Sequence, residues 1–191
     1  TETADRGTIY IREQVYQKLT PRLVKRLGVA TVYQDLSLDE NRSAYLNLFL
    51  GREKLKWGFL LAHREMVEET EKLRDKLKID LPDVRQLVSS LSGGQRQTLA
   101  MARSIYTDAD IILLDEPTAA MGIRETAATN RFILQMREAG KTLLLVSHDM
   151  HQVMELADVI YLLRNGNIIA KKNREETSVV ELISMLKDET S

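Results

Sequence analysis

Short apolar runs alternate with amphipathic stretches along most of the chain. Four runs rich in Val, Ile and Leu, each four or five residues long, lie at residues 29–33, 111–114, 142–146 and 159–163. Helical patterns cover about residues 95–106, 124–139 and 150–156. Apolar strands that alternate with helices predict an α/β fold, in which helices cover both faces of a largely parallel sheet.

Local signals define the ends of several elements. Thr20 and Pro21 predict a helix that runs to Leu27, because threonine is a good N-cap and proline is favoured at the first helical position. Asn165-Gly166 between two apolar runs predicts a tight antiparallel hairpin, since both turn positions need positive φ. The remaining elements are a strand at residues 8–12 and a final helix at about 178–186.

The stretch from residue 41 to about residue 90 has a different character, because it is charged and helical by pattern and is broken at Pro82. No segment in it recurs at a fixed period, so a repeat array is not expected. We interpret it as a mostly helical insertion. The expected organisation is a core made of residues 1–38 and 92–191, with a helical subdomain at 39–91.

The charge balance narrows the class of partner. The 191 residues include 27 Lys and Arg against 28 Asp and Glu, a net charge of −1. Because there is no broad basic field, nucleic acid is not expected as a partner. The absence of cysteine excludes disulfides, thiolate zinc sites and thiol catalysis within these residues. The apolar runs are far too short to span a membrane, so a soluble, cytoplasmic chain is expected.

A glycine pair opens the helix predicted at about residue 95. The segment Leu91-Ser92-Gly93-Gly94-Gln95 places two residues without a Cβ beside a helix N-terminus, whose free N–H groups attract anions. The Ser92 hydroxyl could cap the helix or bind a phosphate oxygen. Taken alone, the segment fits an anion site and a serine-capped glycine loop equally well.

Polar side chains follow three of the predicted strands. Asp115 and Glu116 follow residues 111–114, His148 follows 142–146, and Gln34 follows 29–33. The carboxyl ends of parallel strands form the edge where α/β sheets bind ligands. A carboxylate pair there suits a P-loop ATPase, in which the first binds Mg²⁺ and the second orients or deprotonates the attacking water. The alternative is an acidic junction that only caps the next helix.

Together these segments resemble the ATP-binding-cassette (ABC) ATPases, the ATPase subunits of ABC transporters. The matching segments are Leu91–Gln95 (signature loop), Leu113–Glu116 (Walker B), Ser147–Asp149 (switch histidine) and Tyr33-Gln34 (Q-loop). They occur in the family's order, and the resemblance extends from about Gly7 to Lys171. It implies the RecA-like fold of P-loop NTPases, with the helical subdomain inserted between the Q-loop and the signature loop.

Finer similarities point to one subgroup. Residues 28–34, 36–38, 47–53 and 115–120 resemble the ATPases of monosaccharide importers. The resemblance implies that the chain energises import of a sugar-like solute. It also implies a peripheral subunit on the cytoplasmic side of the membrane, bound to transmembrane permease subunits through Gln34 and the helical insertion.

The family resemblance implies a role for each strand-end residue. Glu116 would be the catalytic carboxylate, and His148 would contact the γ-phosphate of ATP. Asp115 and Gln34 would serve Mg²⁺ and its waters.

The same resemblance implies a head-to-tail dimer of two ATPase subunits with two shared ATP sites. The loop residues that would close over the γ-phosphate bound by the second subunit are Ser92, Gly93, Gly94 and Gln95. Closure of this kind stabilises the charge that develops in the transition state and excludes water. Phosphoryl transfer gains its rate from these effects.

The sequence departs from the family in two places. The phosphate-binding P-loop, G-x-x-x-x-G-K-[ST], does not occur. Gly140-Lys141-Thr142 is not a substitute, because it follows a predicted helix and enters a strand, and Gly140 is expected to end that helix. We therefore expect a domain that lacks its N-terminal P-loop segment and that binds ATP weakly or not at all alone. Met121-Gly122 stands where the family often has an aspartate in the D-loop, which puts the cross-dimer contact there in doubt.

Two other classes of function remain open. A non-catalytic interaction module would keep the signature face to complete a partner's ATP site and would never hold nucleotide itself. The intact Asp115, Glu116 and His148 favour descent from a working ATPase. An ABC-type ATPase that acts on nucleic acid or ribosomes is disfavoured by the balanced charge and by the lack of a long basic or coiled-coil arm. Membrane spans in a co-encoded partner would separate the transporter from this last class.

Overall fold

The computed structural model describes residues 6–33, 36–106, 109–119 and 121–187. The chain begins with an antiparallel hairpin of β1 (Ile9–Ile11) and β2 (Gln14–Tyr16). Its turn residues, Arg12 and Glu13, adopt positive φ values of 47° and 65°. The strand expected at residues 8–12 is confirmed, whereas β2 was not predicted, because neither turn residue is a glycine, asparagine or aspartate.

Helix α1 (Pro21–Arg26) begins where the sequence predicts. The Thr20 hydroxyl accepts a hydrogen bond from the Leu23 N–H at 3.3 Å, which satisfies one of the free donors of the first turn. The chain then reverses at Gly28, whose φ is +70°, and enters β3 (Val29–Val32). A glycine suits this position because φ is positive there.

The charged segment contains two helices, α2 (Ala44–Leu48) and α3 (His63–Lys76). Between them lies a short hairpin of β4 (Leu55–Lys56) and β5 (Leu60–Leu61), followed later by a 3₁₀ turn at Val88–Ser90. The hairpin interrupts the mostly helical pattern that we expected. It turns at Trp57 and Gly58, both with positive φ.

The second half alternates helices and strands as predicted. In chain order the elements are α4 (Gly93–Tyr106), β6 (Ile111–Asp115), α5 (Ile123–Glu138), β7 (Thr142–Val146) and α6 (Met150–Leu156). Strands β3, β6 and β7 form a parallel sheet with β6 in the centre. The second edge of β7 pairs with no strand among the described residues.

The last elements form a small layer of their own. Strands β8 (Val159–Arg164) and β9 (Asn167–Asn173) are antiparallel, and α7 (Val179–Lys187) packs on them. The turn at Asn165 and Gly166 has φ values of 48° and 78°, which confirms the predicted hairpin.

The main core links the sheet to the helical segment. Ile112 and Leu114 of β6 are fully buried, as are Met101 of α4 and Phe49 just after α2. The Phe49 ring lies 4.6 Å from that of Tyr106, centroid to centroid. Because these side chains share one cluster, α4 joins the helical segment to the strands that carry the candidate site. Among the helices described, none combines the length and apolar character needed to cross a bilayer.

Candidate functional site

The C-terminal ends of β6 and β7 lie side by side. Asp115 is the last residue of β6 and stands opposite Val146, the last residue of β7. The next residue, Glu116, donates its backbone N–H to the Val146 carbonyl at 2.9 Å. Glu116 has a φ of +48°, a left-handed conformation that costs a non-glycine residue about 1–2 kcal/mol. The sheet therefore holds the backbone of Glu116 in a conformation that a glutamate outside such a context rarely adopts.

Glu116 and His148 meet at this edge. The His148 Nδ1 lies 2.7 Å from Glu116 Oε1. The His148 side chain is 81% exposed, whereas that of Glu116 is 25% exposed. The pKa of His148 is raised above its usual value by the hydrogen bond with Glu116 and by the negative charges of Glu116 and Asp149. The pair therefore couples a half-buried carboxylate to an imidazole that gains protons easily.

This arrangement has a defined chemical capacity. A carboxylate held at a strand end can accept a proton from a water molecule or orient it for attack. A histidine held through Nδ1 can present Nε2 to an oxyanion, and protonation strengthens that interaction. Both groups belong to the strand-end site predicted from the sequence, and the structure brings them together.

The residues present also fit a magnesium site of the kind that binds nucleotides. Asp115 offers an exposed carboxylate at the same edge. Within the described ranges no three His, Asp or Glu residues form a cluster that could cage a metal. Mg²⁺ with a phosphate ligand needs one or two carboxylates and keeps several waters, so a single strand-end aspartate suits it. Gln34, the other predicted ligand, lies outside the described residues.

The loop before α4 is a completed helix cap. The Gln95 N–H donates to Ser92 Oγ at 3.3 Å, and the Ser92 N–H donates to Gln95 Oε1 at 3.0 Å. This reciprocal pair is a capping box, which satisfies donors of the first helical turn. Ser92 therefore caps α4, which is one of the two roles considered for its hydroxyl. It leaves the two glycines, Gly93 and Gly94, as the first residues of α4.

Glu125, in the first turn of α5, lies against this loop and was not singled out from the sequence. An ideal Cβ on Gly94 would come within 3.0 Å of the Glu125 Cβ, and one on Gly93 would lie 4.0 Å from Glu125 Oε2. The pKa of Glu125 is lowered by the Gly122 N–H, and also by the Ser92 hydroxyl and the Gly94 N–H. A carboxylate of the chain thus lies at the positive end of α4.

The segment 121–122 serves α5. Gly122 is the N-cap residue of that helix, and its N–H donates to Glu125 Oε2 at 3.4 Å. Met121 Sδ accepts a hydrogen bond from the Thr129 hydroxyl at 3.7 Å. The residues that depart from the family's D-loop therefore have contacts within the chain.

Two further sequence features have structural roles. Gly140, with a φ of +79°, donates its N–H to the Arg137 carbonyl, and the Lys141 N–H donates to Met136 O. These bonds form a Schellman motif with Gly140 directly after the C-cap Ala139, which confirms that Gly140 ends α5. The His63 ring nitrogen Nδ1 lies 2.9 Å from the Tyr45 hydroxyl, a hydrogen bond that ties the start of α3 to α2.

Known structures define the class of fold. An ATP-binding cassette from an ABC transporter, solved without nucleotide, superposes with a TM-score of 0.79 at 23% identity, covering 98% of this chain and 76% of that one. A dimeric cassette in a post-hydrolysis state, bound to ADP and Pi, gives a TM-score of 0.72 at 22% identity and covers 91% and 75%. The fold is that of an ATP-binding cassette.

Sequence comparison gives the family. The family model for ABC transporters matches residues 1–119. The xylose/arabinose import ATP-binding protein of Sulfolobus acidocaldarius is 39% identical over 95% of this chain and 72% of its own length. The chain belongs to the ABC transporter family, as an ATP-binding domain.

Other relatives carry similar names. The fructose import ATP-binding protein of Rhizobium meliloti is 32% identical over 96% of this chain and 74% of its own length. The galactofuranose transporter ATP-binding protein of Escherichia coli K12 is 34% identical over 96% of this chain, which spans only 36% of that protein. The resemblance to importer ATPases is thus confirmed along nearly the whole chain.

Proposed function

We propose that this chain is part of the ATP-hydrolysing subunit of an importer for a sugar-like solute. The observation that carries the proposal is the contact of Glu116 with His148 at the ends of adjacent strands. A carboxylate and an imidazole in contact at this edge suit hydrolysis better than passive binding. The importer names of the relatives support the solute class.

Each strand-end residue has a part in the proposed reaction. Glu116 orients the attacking water and accepts its proton, and His148 contacts the γ-phosphate. Asp115 and Gln34 would hold Mg²⁺, which when bound would neutralise charge on the phosphate oxygens. His148 in its protonated form would add positive charge beside the transferred phosphoryl group.

The loop of α4 would act on a second subunit. Ser92, Gly93, Gly94 and Gln95 would close over the γ-phosphate held by a second ATPase subunit in a head-to-tail dimer. The glycines allow the close approach, and the start of α4 supplies positive potential. Glu125 of α5 lies against this loop, so its carboxylate would face the incoming phosphate and would have to move or share the hydrogen bonds.

The phosphate cradle itself would come from residues other than these 191, which contain no P-loop. A P-loop joins a strand to a helix. No described strand pairs with the second edge of β7, so a further parallel strand would add there, beside Glu116 and His148. The greater length of the relatives is compatible with this view.

Residues 39–91 would form the subdomain that faces the permease, together with Gln34. The β4–β5 hairpin supports this part of the proposal, because Trp57 and Phe59 are 73% and 74% exposed. Exposed aromatic side chains that cluster in this way are typical of protein interfaces. Contact with permease subunits would place the domain at the cytoplasmic face of the membrane as a peripheral subunit.

The test is the substitution Glu116→Gln in a protein that contains this chain and a P-loop. We expect ATP hydrolysis to fall by about 10²–10⁴-fold, since the amide cannot accept the proton, while ATP binding is retained. Glu138→Gln is the matched control, because Glu138 is an exposed glutamate at the end of α5. Equal, measurable turnover of Glu116→Gln and the unsubstituted protein would refute the assignment of Glu116. No turnover by the unsubstituted protein would favour the non-catalytic module.

A further inference from the structure

A buried polar network surrounds the first turn of α6. Its centre is Gln152, which is 2% exposed. The Gln152 Nε2 donates to Thr118 Oγ1 at 2.9 Å and to Asn130 Oδ1 at 2.8 Å. Its Oε1 accepts from the Ser147 hydroxyl at 2.8 Å. One amide therefore reaches three separate elements: the loop after β6, helix α5 and the end of β7.

Two of these contacts lie beside the strand-end site. Thr118 is two residues after Glu116, in a turn closed by the Ala119 N–H on the Glu116 carbonyl at 3.1 Å. Ser147 directly precedes His148, and its hydroxyl oxygen accepts from the Asp149 N–H at 3.1 Å. The loops that carry the carboxylate and the imidazole are thus tied to the same buried side chain.

The chemistry of the amide suits this task. Glutamine combines two N–H donors with a carbonyl acceptor, and here both donors and the acceptor are used. A carboxylate at this position could not donate, and an apolar side chain could do neither. Buried polar groups that lose a partner shift to find another, so the neighbouring loops would move.

We infer that Gln152 is a positioning residue, which fixes the loops of Glu116 and His148 relative to each other and so maintains their contact. Its relevance to ATP hydrolysis rests on the proposed function. The inference that Gln152 maintains the contact between Glu116 and His148 does not rest on the proposed function, because that contact can be measured without ATP. The competing view is that the network only fastens α6 to α5, through Asn130 and its bond to Glu155 at 2.7 Å.

The test is an NMR titration of the His148 ring in the 191-residue chain carrying Gln152→Met. Methionine keeps the length and volume of the side chain and removes all three hydrogen bonds. The charged groups that face His148 are Glu116 and Asp149. If Gln152 maintains the contact, the His148 titration midpoint falls, since Glu116 then stabilises the protonated ring less. The ring signal of His63, which lies in α3 and bonds Tyr45, gives a reference outside this network.

Gln97→Met is the matched control. Gln97 is buried in α4 at 4% exposure, and its amide nitrogen has no hydrogen-bond partner among the described residues. We expect this variant to leave the His148 midpoint unchanged. Ser147→Ala removes one arm of the network, so a smaller downward shift is expected.

If Gln152→Met folds and its His148 titration midpoint is unchanged, the inference is wrong. A loss of stability would not rescue it, because that loss would show only that Gln152 attaches α6 to α5. If Gln152→Met does not fold, the His148 midpoint of Ser147→Ala is measured instead, and an unchanged midpoint overturns the inference. Turnover of Glu116→Gln tests the proposed function separately, so the two ideas fail independently.

Discussion

The loop at the start of α4 bonds its polar groups to one another and to Glu125, whereas the ends of β6 and β7 leave Asp115 and most of the His148 ring open to solvent. Ser92 and Gln95 bond each other, and Glu125 lies against the glycines. At the strand ends, Asp115 is exposed and the His148 ring is 81% exposed. Under the proposed function, the α4 loop recognises a ligand held by another subunit and can be complete alone, whereas the strand ends hold their own nucleotide and need a phosphate cradle.

The largest expected effect concerns ATP itself. Calorimetry of the 191-residue chain with ATP and Mg²⁺ is expected to give no binding at micromolar concentration, because P-loop N–H groups and lysine carry most contacts with the phosphates. A longer protein that includes a P-loop is the positive control. Micromolar binding by the 191 residues would mean that the strand ends hold phosphate by other groups, and the contrast between the two regions would disappear.

The second test concerns the packing of the α4 loop. Gly94→Ala is expected to lower the free energy of unfolding by about 1–3 kcal/mol, as overpacking does. The reason is that the new methyl would meet the Glu125 Cβ at 3.0 Å and its Cα at 3.5 Å. Urea unfolding measures the loss.

Gly93→Ala is the paired control, since its methyl would meet only Glu125 Oε2, at 4.0 Å. It should be close to neutral. Equal losses in the two variants would show that the start of α4 is not packed as described.

The capping box gives a smaller effect. Ser92→Ala should cost about 1 kcal/mol of folding stability, because the Gln95 N–H loses its side-chain acceptor. Ser89→Ala, at an exposed serine just upstream, should change stability little. If both variants unfold at the same urea concentration as the unsubstituted chain, the loop is not stabilised by this cap.

The smallest effect is the pH dependence of the strand-end pair. Since the pKa of His148 is raised in the folded state by Glu116, the pair stabilises the fold below the usual histidine value of about 6.5. This contribution is lost as pH rises through the higher folded pKa. His148→Gln should therefore be less stable than the unsubstituted chain in acid and equal to it in alkali, as followed by thermal unfolding. A stability gap that widens with rising pH would contradict the described contact.

The sequence predicts the regular elements well where local chemistry is decisive. Thr20-Pro21 and Asn165-Gly166 define a helix start and a hairpin, and the apolar runs define β3, β6 and β7. The Arg12-Glu13 turn escapes prediction because its residues carry no turn preference, and the structure nevertheless holds both at positive φ.

The candidate site also contains residues that the sequence predicts and residues that it does not. Asp115, Glu116 and His148 are predictable because each lies at or just after the C-terminal end of a strand, and parallel strands bring such residues to one edge. Gln152 and Glu125 are not, since each also contacts a segment more than twenty residues away, at Thr118 and at Gly94 respectively. In the sequence they look like ordinary polar residues of amphipathic helices.

The free edge of β7 has a consequence for how this chain behaves in solution. Leu144 and Val146 are 57% and 54% exposed, beside backbone groups that pair with no described strand. An unprotected apolar edge is a template on which strands of other molecules add. The 191 residues should therefore self-associate as their concentration rises, and light scattering against concentration would follow this. A charged substitution at Leu144 should reduce this self-association.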